Sequence, residues 1–125
     1  MSRARRTAAL VTALVLLAGC GDDDTADQQA APSGGEGVVT VVAEDVAFGA
    51  ATYEADAGTV EVEYVNEGVI QHSLLIEGVD DFRLAVDSRG DTDRGSVELE
   101  PGSYVLICDI PGHEQAGMVA DLEVR

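Results

Sequence analysis

The segment from Cys108 to Met118 constrains this chain more than any other, because it gathers a thiol, an imidazole and a thioether within eleven residues. The imidazole belongs to His113, and Pro111-Gly112 places a bend between it and the thiol. Sulfur and imidazole nitrogen are the ligands that soft, redox-active metals prefer. The spacing therefore predicts that this segment is a metal-binding loop.

The rest of the sequence offers few other soft donors. Apart from Met1 and Cys20, the remaining one is His72, which opens an apolar segment. Two His and one Cys with a long axial Met form the geometry of a blue, electron-transferring copper site. We therefore predict one Cu(I)/Cu(II) ion per chain, with the ligands His72, Cys108, His113 and Met118.

Each predicted ligand also has an ordinary structural interpretation. A Met on an alternating strand is commonly a core gap-filler, a Cys in an apolar strand a small hydrophobe, and a buried His a satisfied core residue. Their identity, order and spacing together favour a metal site. Zinc on the two His and Cys108 would leave Met118 without a role. A Cys–His hydrolase usually needs an exposed thiolate in an electropositive setting, whereas Cys108 ends an apolar strand in a very acidic protein. A catalytic second copper centre would need further His ligands, and both His are already used. We therefore predict that the protein is not an enzyme.

Residues 38–125 resemble the cupredoxins, small copper proteins of the plastocyanin and azurin kind. In that family an upstream His is followed near the C-terminus by a Cys, a His and a Met on the loop between the last two strands. The matching residues here are His72, Cys108, His113 and Met118, with four residues in each interval of the loop. The resemblance implies a Greek-key β-sandwich and a one-electron carrier that shuttles electrons between membrane or extracytoplasmic redox partners. A copper-storage or delivery lipoprotein with the same ligands is the open alternative.

The resemblance also implies supporting roles around the metal. Ser73 follows the upstream His, where many cupredoxins have Asn, and we expect it to tie the two ligand segments together. Pro111 belongs to the bend that returns the loop His towards the thiolate, and apolar neighbours would surround the imidazole edge where electrons enter and leave. Gly117, beside the axial Met, is expected to let the backbone pass close to the site.

The N-terminal residues predict export. Three Arg precede an apolar run from Ala8 to Ala18, and Leu17-Ala18-Gly19-Cys20 resembles the lipobox of bacterial lipoproteins. Residues 1–19 are thus predicted to be a signal peptide and Cys20 the lipidated mature N-terminus; the alternative for Cys20 is an ordinary small residue near a cleavage site. Residues 20–37 lack apolar periodicity and predict an acidic, disordered linker. The copper domain would be lipid-anchored at the outer face of the cytoplasmic membrane or in the periplasm.

The charge balance limits the partners. After residue 19 the chain has four Arg, no Lys and 24 acidic residues, which gives a net charge of −20. Such a surface excludes nucleic acid and anionic lipid as partners and favours a redox protein with a basic docking surface. Solubility in a saline habitat accounts for the acidity equally well. We expect a monomer.

Short segments with a period of two indicate an all-β sandwich of about seven to eight strands. Thr59 to Val65 alternates between apolar and polar residues, and the final strand alternates so that Met118 is directed inward. Tyr104 to Cys108 is apolar throughout, which predicts a central strand covered on both faces. The other predicted strands are 38–43, 72–76, 82–86 and 96–99, and residues 87–95 are predicted to form a polar loop.

Overall fold

A computed structural model describes residues 37–125. The predicted signal peptide, the predicted lipidation site Cys20 and all but the last residue of the predicted linker lie outside the described residues. The described part contains no helix, and so none that could cross a membrane. Its nine strands are β1 (Val38–Glu44), β2 (Ala47–Phe48), β3 (Thr52–Ala55), β4 (Gly58–Asn66), β5 (His72–Ile76), β6 (Arg83–Val86), β7 (Thr92–Leu99), β8 (Gly102–Ile107) and β9 (Val119–Val124).

The strands form two sheets whose apolar faces share one core. One sheet has the order β2-β1-β4-β7 and the other the order β3-β9-β8-β5-β6. The pairs β1–β4 and β3–β9 are parallel, and all other pairs in the described residues are antiparallel. From β2 onward the chain crosses repeatedly from one sheet to the other. This architecture confirms the predicted all-β sandwich, with nine strands where about seven to eight were predicted.

Side-chain alternation fixes which faces of the strands form the core. On β4, Val60, Val62 and Tyr64 are buried, whereas Thr59 and Glu61 are exposed. Burial of one such aliphatic side chain stabilises a fold by about 1.5–3 kcal/mol, so the sequence period determines which face turns inward. The last strand follows the same rule, and its buried residues are Ala120, Leu122 and Val124.

The structure corrects three local predictions. β7 begins at Thr92, so the last four residues of the predicted polar loop 87–95 belong to an edge strand. The short strands β2 and β3 had not been predicted at all. The expectation that the apolar strand β8 is covered on both faces is wrong, because Val105 and Ile107 on its outer face are only half-buried. The strand does lie inside its sheet, between β5 and β9.

Candidate metal centre

Neighbouring strands bring the predicted ligands to one end of the sandwich. His72 is the first residue of β5, Cys108 follows the last residue of β8, and Met118 precedes β9. Because β8 lies between β5 and β9, these strand ends adjoin although they are far apart in the sequence. His113 lies in the loop that connects β8 to β9. The fold therefore places all four predicted ligands at the same end of one sheet.

The backbone of the β8–β9 loop bonds to itself. The amide of His113 donates to the carbonyl of Ile110 at 3.0 Å, and the amide of Met118 donates to the carbonyl of His113 at 3.0 Å. Gly112 and Gly117 have φ angles of 89° and 107°, where other L-residues are disfavoured. A Cβ on Gly117 would meet nothing within 4 Å. Its positive φ therefore accounts for glycine there, and the close backbone approach expected from the sequence is not seen.

Three of the predicted ligands present their donor atoms to one another. A ring nitrogen of each His and the Cys108 Sγ lie within 4.8 Å of one another. The Sγ is 3.5 Å from Nδ1 of His113, and the two imidazole centroids are 5.2 Å apart. His72, Cys108 and Met118 are buried, whereas His113 is only partly buried. The donors thus form a compact, mostly dry cluster with one imidazole near the surface.

The side chain of His72 shows how well this cluster suits a metal ion. Both ring nitrogens are buried, and neither has a hydrogen-bond partner among residues 37–125. An unpaired buried polar atom costs about 1–3 kcal/mol, and a metal ion bound by the cluster would remove that cost at one nitrogen. Burial and the neighbouring His113 lower the pKa of His72 against a smaller opposing effect of Asp45. The imidazole is therefore held in the neutral form that binds metals.

Ser73 lies directly against the Cys108 sulfur. Its backbone N–H donates to Sγ at 3.4 Å, and its Oγ is 3.5 Å from the same sulfur. That Oγ accepts a bond from the Asp109 amide at 2.9 Å and lies 2.5 Å from the Asp109 Oδ1. Ser73 is fully buried. It therefore contacts both ligand segments, and its effect on a bound metal stays a prediction.

Two polar side chains fix the turn that leads into the upstream ligand. The Asn66 amide group donates to the carbonyl of Ile70 at 2.8 Å and accepts from the amide of Gly68 at 2.9 Å. Asp45 accepts from the amide of Val69 at 2.8 Å. A Cβ on Gly68 would lie 2.5 Å from the Asp45 Oδ1 and 3.0 Å from the Asp45 backbone nitrogen, so this close approach favours glycine. The turn leaves Val69 and Ile70 exposed shortly before His72 in the sequence.

Comparison with known proteins identifies the architecture. No protein-family model and no curated protein matches the sequence. Among solved structures, sodium-dithionite-reduced auracyanin from the photosynthetic bacterium Roseiflexus castenholzii is similar, with a TM-score of 0.63, 18% identity and coverage of 74% of this chain and 99% of that one. The fold is that of a cupredoxin.

Two further cupredoxin structures give the same result. Auracyanin B matches with a TM-score of 0.57 and 24% identity over 70% of this chain and 88% of its own. Reduced rusticyanin matches with a TM-score of 0.55 and 24% identity over 70% of this chain and 78% of its own. At these identities the comparison establishes the cupredoxin fold, and the function has to be argued from the residues of the site.

Sequence reasoning missed two residues that are linked to the site: Asp109, which is bonded to Ser73, and Arg83, which is bonded to Asp109. Arg83 on β6 donates from Nε to the Asp109 Oδ2 at 3.1 Å and from Nη2 to Oδ1 at 3.0 Å. These bonds, followed by the contact with Ser73, lower the pKa of Asp109. The available signal was an acidic residue directly after Cys108; nothing in the sequence linked Arg83 to it.

Proposed function

We propose that this protein is a one-electron carrier with one type 1 copper ion, held by His72, Cys108, His113 and Met118. The observation that carries the proposal is the pair of unpartnered, buried nitrogens of His72 beside the thiol and the second imidazole. Two imidazoles, a thiolate and a thioether form a donor set that suits copper. Bound copper supplies a Cu(II)/Cu(I) couple, and the protein supplies its position and surroundings.

The surrounding residues support outer-sphere electron transfer. Backbone hydrogen bonds in the β8–β9 loop and the Ser73 contact with the sulfur help to hold His113 and Cys108 in place. Burial of Cys108 and Met118 keeps water away from both sulfur donors. The partly exposed imidazole of His113 provides the contact for a redox partner, next to the apolar neighbours Ile110, Pro111 and Ala116.

A copper titration followed by visible absorption tests this proposal. The purified protein should develop an intense blue thiolate-to-copper band that saturates at one Cu(II) per chain. The band should be absent from Cys108→Ser and unchanged in Cys20→Ser, which removes the other thiol of the sequence. A colourless protein, or weak colour that survives the loss of Cys108, would contradict the proposal and favour a storage, zinc or purely structural role.

The acidic surface favours a redox protein partner with a basic docking surface, bound by this protein as a monomer. Like-charged redox reagents should be repelled and oppositely charged ones attracted, by an amount that falls as salt screens the field. We therefore expect a small cationic metal complex to exchange electrons faster at low salt and an anionic complex more slowly. Equal salt dependence for the two reagents would argue against charge-guided docking.

A lipid anchor at Cys20 would keep the carrier at the outer face of the cytoplasmic membrane or in the periplasm. In bacterial cells the protein should be recovered with membranes, and Cys20→Ser should be released in soluble form or retained with its signal peptide. A membrane association that survives this substitution after signal cleavage would show that the protein is not held at the membrane by lipidation of Cys20.

A further inference from the structure

We propose that Asp109, held by Arg83, accepts the hydrogen bond of the Ser73 hydroxyl and thereby leaves the Cys108 sulfur with a single donor from Ser73, its backbone N–H. Asp109 and Arg83 are then positioning residues that lower the reduction potential through Ser73. This inference rests on the proposed copper function, because it concerns the electron density on the sulfur ligand.

The Ser73 hydroxyl group has one proton and two acceptors within reach. The Ser73 Oγ lies 2.5 Å from the Asp109 Oδ1 and 3.5 Å from the Cys108 Sγ. A distance of about 2.5–2.7 Å is typical of a hydroxyl bonded to a carboxylate, and such charge-assisted bonds are roughly twice as strong as neutral ones. The proton is therefore committed to the carboxylate. The hydroxyl oxygen also accepts from the Asp109 amide at 2.9 Å, so two bonds from one residue fix its orientation.

Arg83 keeps the carboxylate in the position that makes this possible. Two of its donors reach the two Asp109 oxygens at 3.1 and 3.0 Å, in the fork geometry that only Arg provides. Ser73 and Arg83 lie on the adjacent strands β5 and β6, where Ser73 pairs with Ala85. The carboxylate thus bonds outward to the Arg83 fork and inward to the fully buried Ser73.

The direction of the Ser73 hydroxyl determines how many hydrogen bonds the Cys108 sulfur accepts. Hydrogen bonds to a metal ligand tune the electronic character of the site, and a donor to a thiolate withdraws electron density and favours the reduced metal. The Ser73 N–H makes such a bond at 3.4 Å, whereas the hydroxyl, 3.5 Å from the sulfur, is directed by the much shorter contact to the Asp109 carboxylate. Removing the competing carboxylate should free the hydroxyl to donate to the sulfur and make reduction easier.

A double-mutant cycle on the copper-loaded protein tests this arrangement. In the native background, Ser73→Ala should change the one-electron reduction constant by less than about twofold. In the Asp109→Ala background, the same change should lower that constant about tenfold, which is about 59 mV for one electron. The two proteins in each comparison have the same residue at position 109. The electrostatic effect of removing the carboxylate is therefore common to both and cancels. Arg83→Lys keeps the positive charge but cannot donate to both carboxylate oxygens in the geometry of Arg. In that background, Ser73→Ala should lower the reduction constant by part of the tenfold change.

The copper-free protein supplies a readout that does not depend on metal binding. In urea unfolding, the effects of Ser73→Ala and Asp109→Ala should couple by at least about tenfold in the unfolding constant, since each side chain is the other's hydrogen-bond partner. If the two substitutions change the unfolding constant independently, to within twofold, the proposed hydrogen bond between the Ser73 hydroxyl and the Asp109 carboxylate is overturned.

The outcomes separate this inference from the function on which it rests. If Ser73→Ala lowers the reduction constant equally in both backgrounds, the hydroxyl already donates to sulfur in the native protein; the inference is then overturned while the copper function stands. If no variant gives a thiolate-to-copper band, the proposed function and the effect on potential are both overturned. The coupling in the copper-free protein still tests the position of the proton.

Discussion

Two aspartates of this protein accept hydrogen bonds through their carboxylates, but their partners differ in how far away they lie in the sequence. The Asp91 carboxylate accepts hydrogen bonds from the amides of Asp87 and Ser88, at 3.1 and 2.9 Å, and from the Ser88 hydroxyl, so all partners of its side chain lie within four residues. Asp109 is bonded to Ser73 and Arg83, which are 36 and 26 residues away. Hydrogen bonds lower the pKa of both carboxyl groups. The difference in sequence separation means that Asp91 shapes its own turn, whereas Asp109 ties together the two strands that carry predicted ligands.

The largest expected effect follows from removing the long-range carboxylate. Asp109→Ala should lower the free energy of unfolding of the copper-free protein by about 2 kcal/mol, because bonds to charged groups contribute about 1.5–3 kcal/mol each and partial exposure reduces that value. It should also speed transfer of copper to a chelator. Asp91→Ala is the matched control and should leave the rate of copper transfer unchanged. Equal rates of copper transfer from the two variants would contradict the distinction between the two aspartates.

Part of the Asp109 contribution should depend on pH. A carboxyl group whose pKa is lowered by folding stabilises the protein above its unfolded pKa, and this contribution is lost as pH falls through the folded pKa. Urea unfolding of the copper-free protein and of Asp109→Asn should therefore differ by a constant amount at neutral pH and converge below about pH 4. Asp91→Asn should converge with the native protein in the same window. If the stability of either variant instead converged with that of the native protein at alkaline pH, folding would not lower the pKa of that carboxyl group.

Two tyrosines provide a smaller version of the same contrast. The buried Tyr64 hydroxyl donates to the carbonyl of Ser73 at 3.0 Å, whereas the Tyr104 hydroxyl donates to the carbonyl of Glu100 at 3.0 Å near the surface. Tyr64→Phe should cost about 1–1.5 kcal/mol in chemical denaturation, because its loss leaves a buried carbonyl with one bond fewer. Tyr104→Phe should cost less than about 0.5 kcal/mol, since water replaces the bond. Equal costs would show that the Tyr64 link carries no special stability.

The smallest effect is expected for an exposed ion pair at the end of β9 opposite Met118. Arg125 and Glu54 form a pair whose side chains are 70% and 43% exposed, and exposed pairs contribute about 0–1 kcal/mol. Arg125→Gln should therefore change the denaturation midpoint little and leave the spectrum of the copper protein unchanged. Arg83→Gln should shift the spectrum, because its partner Asp109 contacts Ser73. An unchanged spectrum in Arg83→Gln would remove Arg83 from the network.

The predictable part of the fold was carried by side-chain periodicity. Strands such as β4 and β9 alternate apolar and polar residues, and their inward faces follow from that period alone. The donors of the candidate site were visible for a different reason: the sequence has few Cys, His and Met residues, and it places three of them in one loop. The first signal is local in the sequence, and the second depends on how rare these residue types are in the chain.

Features set by tertiary contact were not predictable. β3 has four residues with one fully buried side chain, Tyr53, and it exists through parallel pairing with β9. The start of β7 is polar because it forms a sheet edge, and Gly95 there allows close contact with Leu84, whose Cδ2 would lie 3.1 Å from an added Cβ. The bond between Arg83 and Asp109 joins two strands whose adjacency the sequence does not encode locally.

Reversible redox cycling in the presence of a copper chelator tests the central claim most directly. The copper-loaded protein would be reduced and reoxidised repeatedly while the thiolate-to-copper band is recorded and the chelator is assayed for metal. An electron carrier with ligands held by this fold should regain the full band in every cycle, with no copper transferred. A band that declines with each cycle as copper appears on the chelator would contradict the account and identify a storage or delivery protein.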